Sequence, residues 1–311
     1  MAKILITESV HPIGPELLTA AGHTVVYADR DMDVIRREIV DADAVFVRII
    51  ELPGSLLATA KNLKIVSKHG VGYDNIDLDY CKSHGIAVTI TPNANSLSVA
   101  EHAFTLMLTL AKNIIPVSNE YRTVGFAAKN HAPGIEMTGK TLGLIGMGRI
   151  GKHILHMCRD GLDMHVIVYD PYISEVPEGV ERVDDLSELL RRADVVTLHC
   201  LLTDETRKLI DRERLALMKP TALLINCARG PIVDEAALIE ALENGRLAGA
   251  GLDVTDPEPV APDSPLFKLP NVIVTPHYAP TTVESATRVS KIAAENINAV
   301  LAGQEPVGRI V

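Results

Sequence analysis

Arg229, Glu258 and His277 are the residues of this sequence whose types suit a hydride-transfer reaction. Each lies at or just past the end of an apolar run that predicts a strand, where open α/β sheets bind their ligands. An arginine can hold a carboxylate bidentately, a histidine can move a proton, and a nearby glutamate favours the imidazolium. Singly they fit a surface arginine, a solvated glutamate and a strand-capping histidine, but together they predict a catalytic set.

A glycine motif with the spacing G-x-G-x-x-G lies between Thr141 and Gly151, directly after an apolar, strand-like run. Gly146 permits a tight turn, Gly148 leaves room for a pyrophosphate, and Gly151 lets the next helix lie close to the strand. The N–H groups at the start of that helix would face the anion. Alone, the motif also fits a glycine-rich turn in an ordinary α/β unit.

Asp170 supports the nucleotide-binding interpretation, because it follows Gly151 by 19 residues and ends the apolar run His165 to Tyr169. A carboxylate there can bind both ribose hydroxyls of an adenosine and repels a 2′-phosphate. The alternative is a turn former before Pro171. Strand, glycines, helix, strand and acid nevertheless occur in the required order, and no arginine stands beside Asp170, so we predict NAD rather than NADP.

The composition predicts a soluble, cytoplasmic protein with room for two domains. The chain has 311 residues, 47% of them hydrophobic, and a formal net charge of −10 without a cluster of Lys and Arg, which argues against a nucleic-acid surface. No signal peptide is legible, and the longest apolar segment, Val99 to Ala111, is too short to cross a membrane. The four cysteines fit no metal template and are interpreted as apolar fillers.

Strand-like and helix-like pieces alternate from Lys3 to Thr91 and predict a first parallel-sheet domain without a glycine fingerprint. The glycines between Lys68 and Asp77 could expose backbone N–H groups that suit a carboxylate. A plain connection to a helix capped by Asn75 is an equal alternative.

Two long helices frame the second domain, for which six strands are predicted. The first, roughly Leu97 to Asn113, is apolar nearly all round, so we expect a buried connector that also contacts a second subunit. The last should start with a capping box formed by Thr281 and Glu284, end at Gly303, and could return to the first domain. The predicted domains are 1–96 with 284–311, and 97–283.

The chain resembles the D-isomer-specific 2-hydroxyacid dehydrogenases, the family of phosphoglycerate, glycerate and D-lactate dehydrogenases. The resemblance covers nearly the whole length and rests on HGVGYDNID, VAEH, GLIGMGRIG with Asp170, LINCARG, GLDV with DPEP, and TPH. It implies an α/β fold in which a Rossmann nucleotide-binding domain is inserted in a discontinuous, flavodoxin-like substrate domain. It also implies NAD as the cofactor and a homodimer formed through the connector helix. The expected substrate is a small D-2-hydroxy acid or its 2-oxo partner, of the hydroxypyruvate, glyoxylate or 3-phosphoglycerate type, and we expect no metal.

The resemblance further implies roles for single residues. Arg229, Glu258 and His277 would be catalytic, while Val71 and Gly72 would offer backbone to the substrate carboxylate. The cofactor would be bound by Gly146, Gly148, Arg149, Ile150, Gly151, Asp170, Cys227, Ala228 and Asp253, the last on the nicotinamide side.

Some features depart from the family pattern or remain open. Tyr278-Ala279-Pro280 replaces the usual small residues after His277, which puts the shape of the nicotinamide end in doubt. Arg48 stands where phosphoglycerate dehydrogenases place a phosphate-contacting arginine, yet Ile49 and Ile50 lack the usual hydroxyl, and a solvent-facing arginine is an equal alternative.

The resemblance also separates this chain from some relatives. Formate dehydrogenases have glutamine at the position of Glu258, so we do not expect that activity. Because the sequence ends at Val311, we also expect no regulatory extension like that of some phosphoglycerate dehydrogenases. An NAD-sensing binding protein or corepressor on the same fold is the alternative function, although such proteins carry additional interaction segments.

Overall fold

The computed structural model describes residues 1–311, which divide into two compact units. Unit 1 comprises residues 1–95 and 280–311, and unit 2 comprises residues 96–279. Each unit is built on its own sheet of parallel strands, which confirms the predicted fold class. No helix of the chain has the length and apolar character needed to cross a bilayer.

Unit 1 contains a five-stranded sheet in the order β2-β1-β3-β4-β5, the strand order of flavodoxin-like sheets. Its central strands are completely buried between two layers of helices. The strands are β1 (Lys3–Ile6), β2 (Thr24–Tyr27), β3 (Ala44–Val47), β4 (Ile65–Lys68) and β5 (Ala87–Thr89). The helices are α1 (Ile13–Ala20), α2 (Met32–Glu38), α3 (Gly54–Leu57), α4 (Leu78–Ser83) and, from the end of the chain, α11 (Val283–Leu301).

Unit 2 contains a seven-stranded sheet in the order β12-β11-β10-β9-β6-β7-β8. The strands are β6 (Thr141–Ile145), β7 (His165–Tyr169), β8 (Val180–Arg182), β9 (Val195–Leu198), β10 (Leu223–Asn226), β11 (Gly249–Leu252) and β12 (Val272–Val274). The helices are α5 (Ser96–Ala111), α6 (Ile114–Val124), α7 (Arg149–Leu162), α8 (Leu186–Arg192), α9 (Arg212–Leu215) and α10 (Glu235–Glu243). Read from β6, six of the strands follow the Rossmann order, and β12 extends the sheet at one edge.

The prediction of six strands was wrong, because β8 was missed. This edge strand has three residues, none of them buried, so it lacks the apolar run by which the other strands were recognised. Charged residues on a short edge strand also protect the sheet from pairing with another chain.

One predicted helix start was also wrong, and the cap considered as an alternative for a second helix is a different residue. Helix α11 is capped by Thr282, whose side chain accepts a hydrogen bond from the N–H of Ser285 at 3.1 Å, and not by Thr281. Helix α4 is capped by Asp77, which accepts from the N–H of Tyr80 at 2.9 Å, whereas Asn75 is buried and caps no helix.

Candidate active site

The glycine turn between β6 and α7 leaves the start of a helix open. Gly146 has φ +89°, and a Cβ there would lie 2.8 Å from the backbone of Cys200, while a Cβ on Gly151 would lie 2.3 Å from the carbonyl oxygen of Gly146. A Cβ on Gly148 would meet nothing within 4 Å, and no side chain caps α7. The fold itself therefore requires two of the glycines, and Gly148 keeps a space free in front of uncapped helix N–H groups, which suits an anion.

Asp170 follows β7, and the backbone holds its carboxylate beside this turn. Oδ2 accepts a hydrogen bond from the N–H of Met147 at 2.9 Å, and Oδ1 accepts from the N–H of Tyr172 at 3.0 Å. No basic side chain forms an ion pair with it, an arrangement that suits a ribose better than a phosphate. Arg149 and Ile150 lie in the first turn of α7, beside the space that Gly148 leaves open.

Arg229, Glu258 and His277 follow three neighbouring strands, β10, β11 and β12, at the carboxyl edge of the sheet. His277 Nδ1 lies 2.6 Å from Glu258 Oε1, which leaves Nε2 for a reacting group. Both side chains are partly exposed, so a small molecule can reach them. The pair has the geometry of a proton-transfer histidine oriented by a carboxylate.

His277 has φ +52°, a backbone conformation that costs a residue with a Cβ roughly 1–3 kcal/mol and clusters at functional sites. The turn that imposes it is bonded to Asp253, which is only 1% exposed. The Asp253 carboxylate accepts from the Thr275 hydroxyl at 2.6 Å and from the N–H groups of Tyr278 at 2.7 Å and Ala279 at 2.9 Å. Asp253 thus holds the turn, and its proposed contact with the nicotinamide stays a prediction.

The loop that carries Arg229 is fixed by Asn226 and Gly230, whose roles the sequence analysis missed. The Asn226 side chain donates to the carbonyl of Arg229 at 2.9 Å and accepts from the N–H of Ala228 at 3.0 Å. A Cβ on Gly230 would lie 1.9 Å from the carbonyl oxygen of Thr255, so the loop after β10 lies directly against the loop that leads to Glu258. A glycine immediately after the arginine was the available signal.

The cysteines in unit 2 do not act as nucleophiles at neutral pH. Burial raises the pKa of Cys227 well above its ordinary value, and the nearby Asp253 raises it further. Burial also raises the pKa of Cys158 to about 12 and that of Cys200 to about 11. Thiols with such pKa values stay protonated and unreactive.

In unit 1, Val71 and Gly72 lie in a partly exposed loop that follows β4. The loop is held by Thr91, whose N–H and hydroxyl both donate to the carbonyl of Gly70, at 2.9 and 3.2 Å. Burial lowers the pKa of the neighbouring His69 to about 3, and the positive charge of Arg48 lowers it further. The loop therefore carries a neutral imidazole.

The loop after β3 contains Arg48 and is organised by Glu8, a residue that the sequence analysis missed. Glu8 is buried, and its carboxylate accepts from the N–H groups of Arg48 at 2.8 Å, Ile49 at 2.6 Å and Ile50 at 2.9 Å. Arg48 is half-buried and its guanidinium forms no ion pair. These three backbone N–H groups are thus already bonded, and the guanidinium of Arg48 is available to a ligand.

Comparison with known proteins gives a consistent result. Residues 104–279 match the model of the D-isomer specific 2-hydroxyacid dehydrogenase NAD binding domain. The chain is 42% identical to a D-3-phosphoglycerate dehydrogenase of Methanocaldococcus jannaschii, covering 98% of this chain and 58% of that protein. It is 38% identical to a glyoxylate reductase of Thermofilum pendens, in a match that covers 98% of this chain and 93% of that protein.

Among solved structures, the chain is similar to the D-lactate dehydrogenase of Aquifex aeolicus complexed with NAD and lactic acid. The TM-score is 0.88 at 32% identity, and the match covers 96% of both chains. The chain spans a little more than half the length of the phosphoglycerate dehydrogenases that it matches and nearly the full length of the reductase.

Proposed function

We propose that this chain, which belongs to the D-isomer specific 2-hydroxyacid dehydrogenase family, transfers a hydride between NAD and a small D-2-hydroxy acid or its 2-oxo partner. The observation that carries the proposal is the Glu258–His277 pair, with 2.6 Å between carboxylate and imidazole. The pair lies at the carboxyl edge of the same sheet that carries the glycine turn and Asp170. An acid–base pair and a nucleotide site on one sheet edge are what a dehydrogenase requires.

Each member of the set has one task in this reaction. The nicotinamide, when bound, supplies the hydride for reduction or accepts it in oxidation. In reduction His277 starts protonated and gives its Nε2 proton to the carbonyl oxygen, while Glu258 stabilises the imidazolium. Arg229 holds the substrate carboxylate, and in oxidation His277 starts neutral and takes the hydroxyl proton.

We infer the further substrate-binding residues from the family resemblance, and we assign the nucleotide to unit 2. Val71 and Gly72 would offer backbone N–H groups to the substrate carboxylate, as the family resemblance implies. Glyoxylate, hydroxypyruvate and phosphohydroxypyruvate are the substrates to test first. The unpaired, half-buried guanidinium of Arg48 favours a substrate with a second anionic or polar group.

Asp170 leads us to propose NAD rather than NADP. Its carboxylate forms two backbone hydrogen bonds and no ion pair, so a 2′-phosphate beside it would meet uncompensated negative charge. Values of kcat/KM with NADH and NADPH at one fixed oxo acid test this assignment. A preference for NADPH would contradict it.

We also propose a homodimer, formed through helix α6, which directly follows the connector helix α5, rather than through α5 itself as the sequence analysis expected. This helix has no buried residue, and several large apolar side chains nearby are exposed: Ile114, Ile115, Tyr121, Val124 and Phe126. An apolar surface of this kind is typical of an interface. Light scattering should give twice the chain mass, and Phe126→Glu should shift the mass towards that of one chain.

The function is tested by NADH oxidation with a panel of 2-oxo acids, with His277→Ala as the matched control. Turnover by the wild type that the variant loses supports the proposal. NADH binding without turnover of any oxo acid would contradict it and would favour an NAD-sensing binding protein.

A further inference from the structure

A line of hydrogen bonds leads from helix α5 to the turn that carries His277. His102 lies on α5 with 17% of its side chain exposed, and its Nε2 is 3.0 Å from the hydroxyl of Thr275. That hydroxyl is 2.6 Å from Oδ1 of the buried Asp253. His102 is also the basic side chain next to this carboxylate, with 3.5 Å between Nε2 and Oδ1.

The direction of these bonds follows from the hydrogens that each group owns. A carboxylate only accepts, so the single hydroxyl hydrogen of Thr275 points to Asp253. The hydroxyl oxygen can then only accept from His102, so Nε2 of His102 must carry a hydrogen. Each donor in the line therefore has one defined acceptor.

Asp253 connects this line to the catalytic turn. Its carboxylate binds the N–H groups of Tyr278 and Ala279, and its own carbonyl accepts from the N–H of His277 at 2.8 Å. These bonds surround His277, whose positive φ persists only where neighbouring bonds hold it. If the Asp253 carboxylate could rotate, the turn could relax and carry the imidazole away from Glu258.

We propose that His102 and Thr275 are positioning residues that act through Asp253 to hold His277 against Glu258. Thr275 fixes one oxygen of the buried carboxylate, and His102 fixes the hydroxyl of Thr275. The expected loss of turnover in variants of these residues rests on the proposed function. The expected displacement of the His277 imidazole from Glu258 does not.

Two pairs of variants test this inference. Thr275→Val keeps the shape of the side chain and removes the hydroxyl, whereas Thr275→Ser keeps the hydroxyl. His102→Leu removes the ring N–H, whereas His102→Gln can place an amide N–H near the position of Nε2. We expect kcat for oxo-acid reduction to fall on the order of 10- to 100-fold in the valine and leucine variants, the usual effect of a small misplacement. The serine and glutamine variants should stay close to the wild type.

Thr197→Val is the matched control, because it removes a similar histidine–threonine contact, 2.8 Å from Thr197 Oγ1 to His199 Nε2, on strand β9. It should cost stability without lowering kcat. An equal loss of kcat in Thr197→Val, or in both members of each pair, would mean general destabilisation and would overturn the inference.

Crystal structures of Thr275→Val and Thr275→Ser give a readout that does not need turnover. We expect the distance from His277 Nδ1 to Glu258 Oε1 to exceed hydrogen-bonding range in the valine variant and to remain near 2.6 Å in the serine variant. An intact pair in both would overturn the inference. If the wild type turned over no oxo acid, the proposed function would fail, and these structures would still decide the inference.

Discussion

In each sheet the first strand leads towards a helix, but the residues that follow this strand differ between the two units. In unit 2, β6 runs into Gly146 and Gly148, and helix α7 begins with uncapped N–H groups and open space before them. In unit 1, β1 runs into Thr7 and Glu8, whose buried carboxylate accepts backbone N–H groups of the loop after β3. The turn after β6 has open space that suits an anion, whereas the Glu8 carboxylate already accepts the hydrogen bonds in unit 1.

This difference shows that a parallel sheet alone does not make a nucleotide site. Both sheets place loops at their carboxyl edges, but the turn after β6 leaves open space at Gly148, whereas the Glu8 carboxylate occupies the loop after β3. We propose that the residues that follow the first strand decide which unit can take a pyrophosphate.

The largest effect should come from His277→Ala in unit 2. We expect kcat to fall roughly 10²- to 10⁴-fold, the usual contribution of a positioned acid or base. The dissociation constant for NADH should not change, because the nucleotide is assigned to the glycine turn and Asp170. Steady-state kinetics and fluorescence titration with NADH measure the two quantities, and wild-type turnover in the variant would contradict the catalytic role.

Gly148→Ala and Gly151→Ala should separate binding from stability within the glycine turn. The new Cβ in Gly148→Ala meets no protein atom within 4 Å, so we expect an unchanged Tm and NADH binding weakened on the order of tenfold. In Gly151→Ala the Cβ would lie 2.3 Å from a backbone oxygen, so stability should also fall, by about 1–3 kcal/mol. Wild-type NADH affinity in Gly148→Ala would mean that the open space at Gly148 is not part of the nucleotide site.

Each unit also has a histidine directly after a strand, and this histidine should make the stability of the folded protein fall at acid pH. Burial lowers the pKa of His69 in unit 1 and of His199 in unit 2 to about 3. Between pH 6.5 and 3 the unfolded chain therefore binds a proton that the folded unit does not, so stability falls as the pH falls. Each group contributes at most about 1.4 kcal/mol per pH unit.

Denaturant unfolding between pH 5 and 7 measures this slope. His69→Gln and His199→Gln should each make the stability less dependent on pH within this range. An unchanged slope in both variants would mean that these histidines are protonated in the folded protein.

The smallest effect should come from Arg48→Ala in unit 1. If its guanidinium binds a second anionic group, KM for phosphohydroxypyruvate should rise about tenfold, since a hydrogen bond to a charged group contributes about 1.5–3 kcal/mol. KM for hydroxypyruvate should rise less, and NADH affinity should stay the same. If KM is unchanged for both substrates, Arg48 has no substrate role.

Local patterns were enough to predict most of the fold and the residues that carry the proposed chemistry. Buried strands have apolar runs, so strands such as β2 (Thr24–Tyr27), β3 (Ala44–Val47) and β7 (His165–Tyr169) could be predicted with the bounds that the structure gives them. The glycine spacing and the charged residues near strand ends are local signals too. The strand β8 gave no such signal because it is short and exposed.

The hydrogen bonds that support the site could not be predicted, because the groups that form them are distant in sequence. Glu8 binds a loop about 40 residues away, and Asp253 binds a turn about 25 residues away. Both are single acidic residues after strands, which in sequence look the same as solvated ones. Only the fold brings them to the backbone N–H groups that make their burial possible.

The central claim is that the Glu258 carboxylate supports proton transfer by His277, and Glu258→Gln tests it most directly. The quantity to measure is kcat/KM for reduction of one 2-oxo acid with NADH at neutral pH, in the variant and in the wild type. Glutamine keeps a hydrogen-bonding side chain but loses the charge that stabilises the imidazolium. We predict that kcat/KM falls without vanishing, while the dissociation constant for NADH stays the same. A wild-type kcat/KM in the variant would contradict the claim.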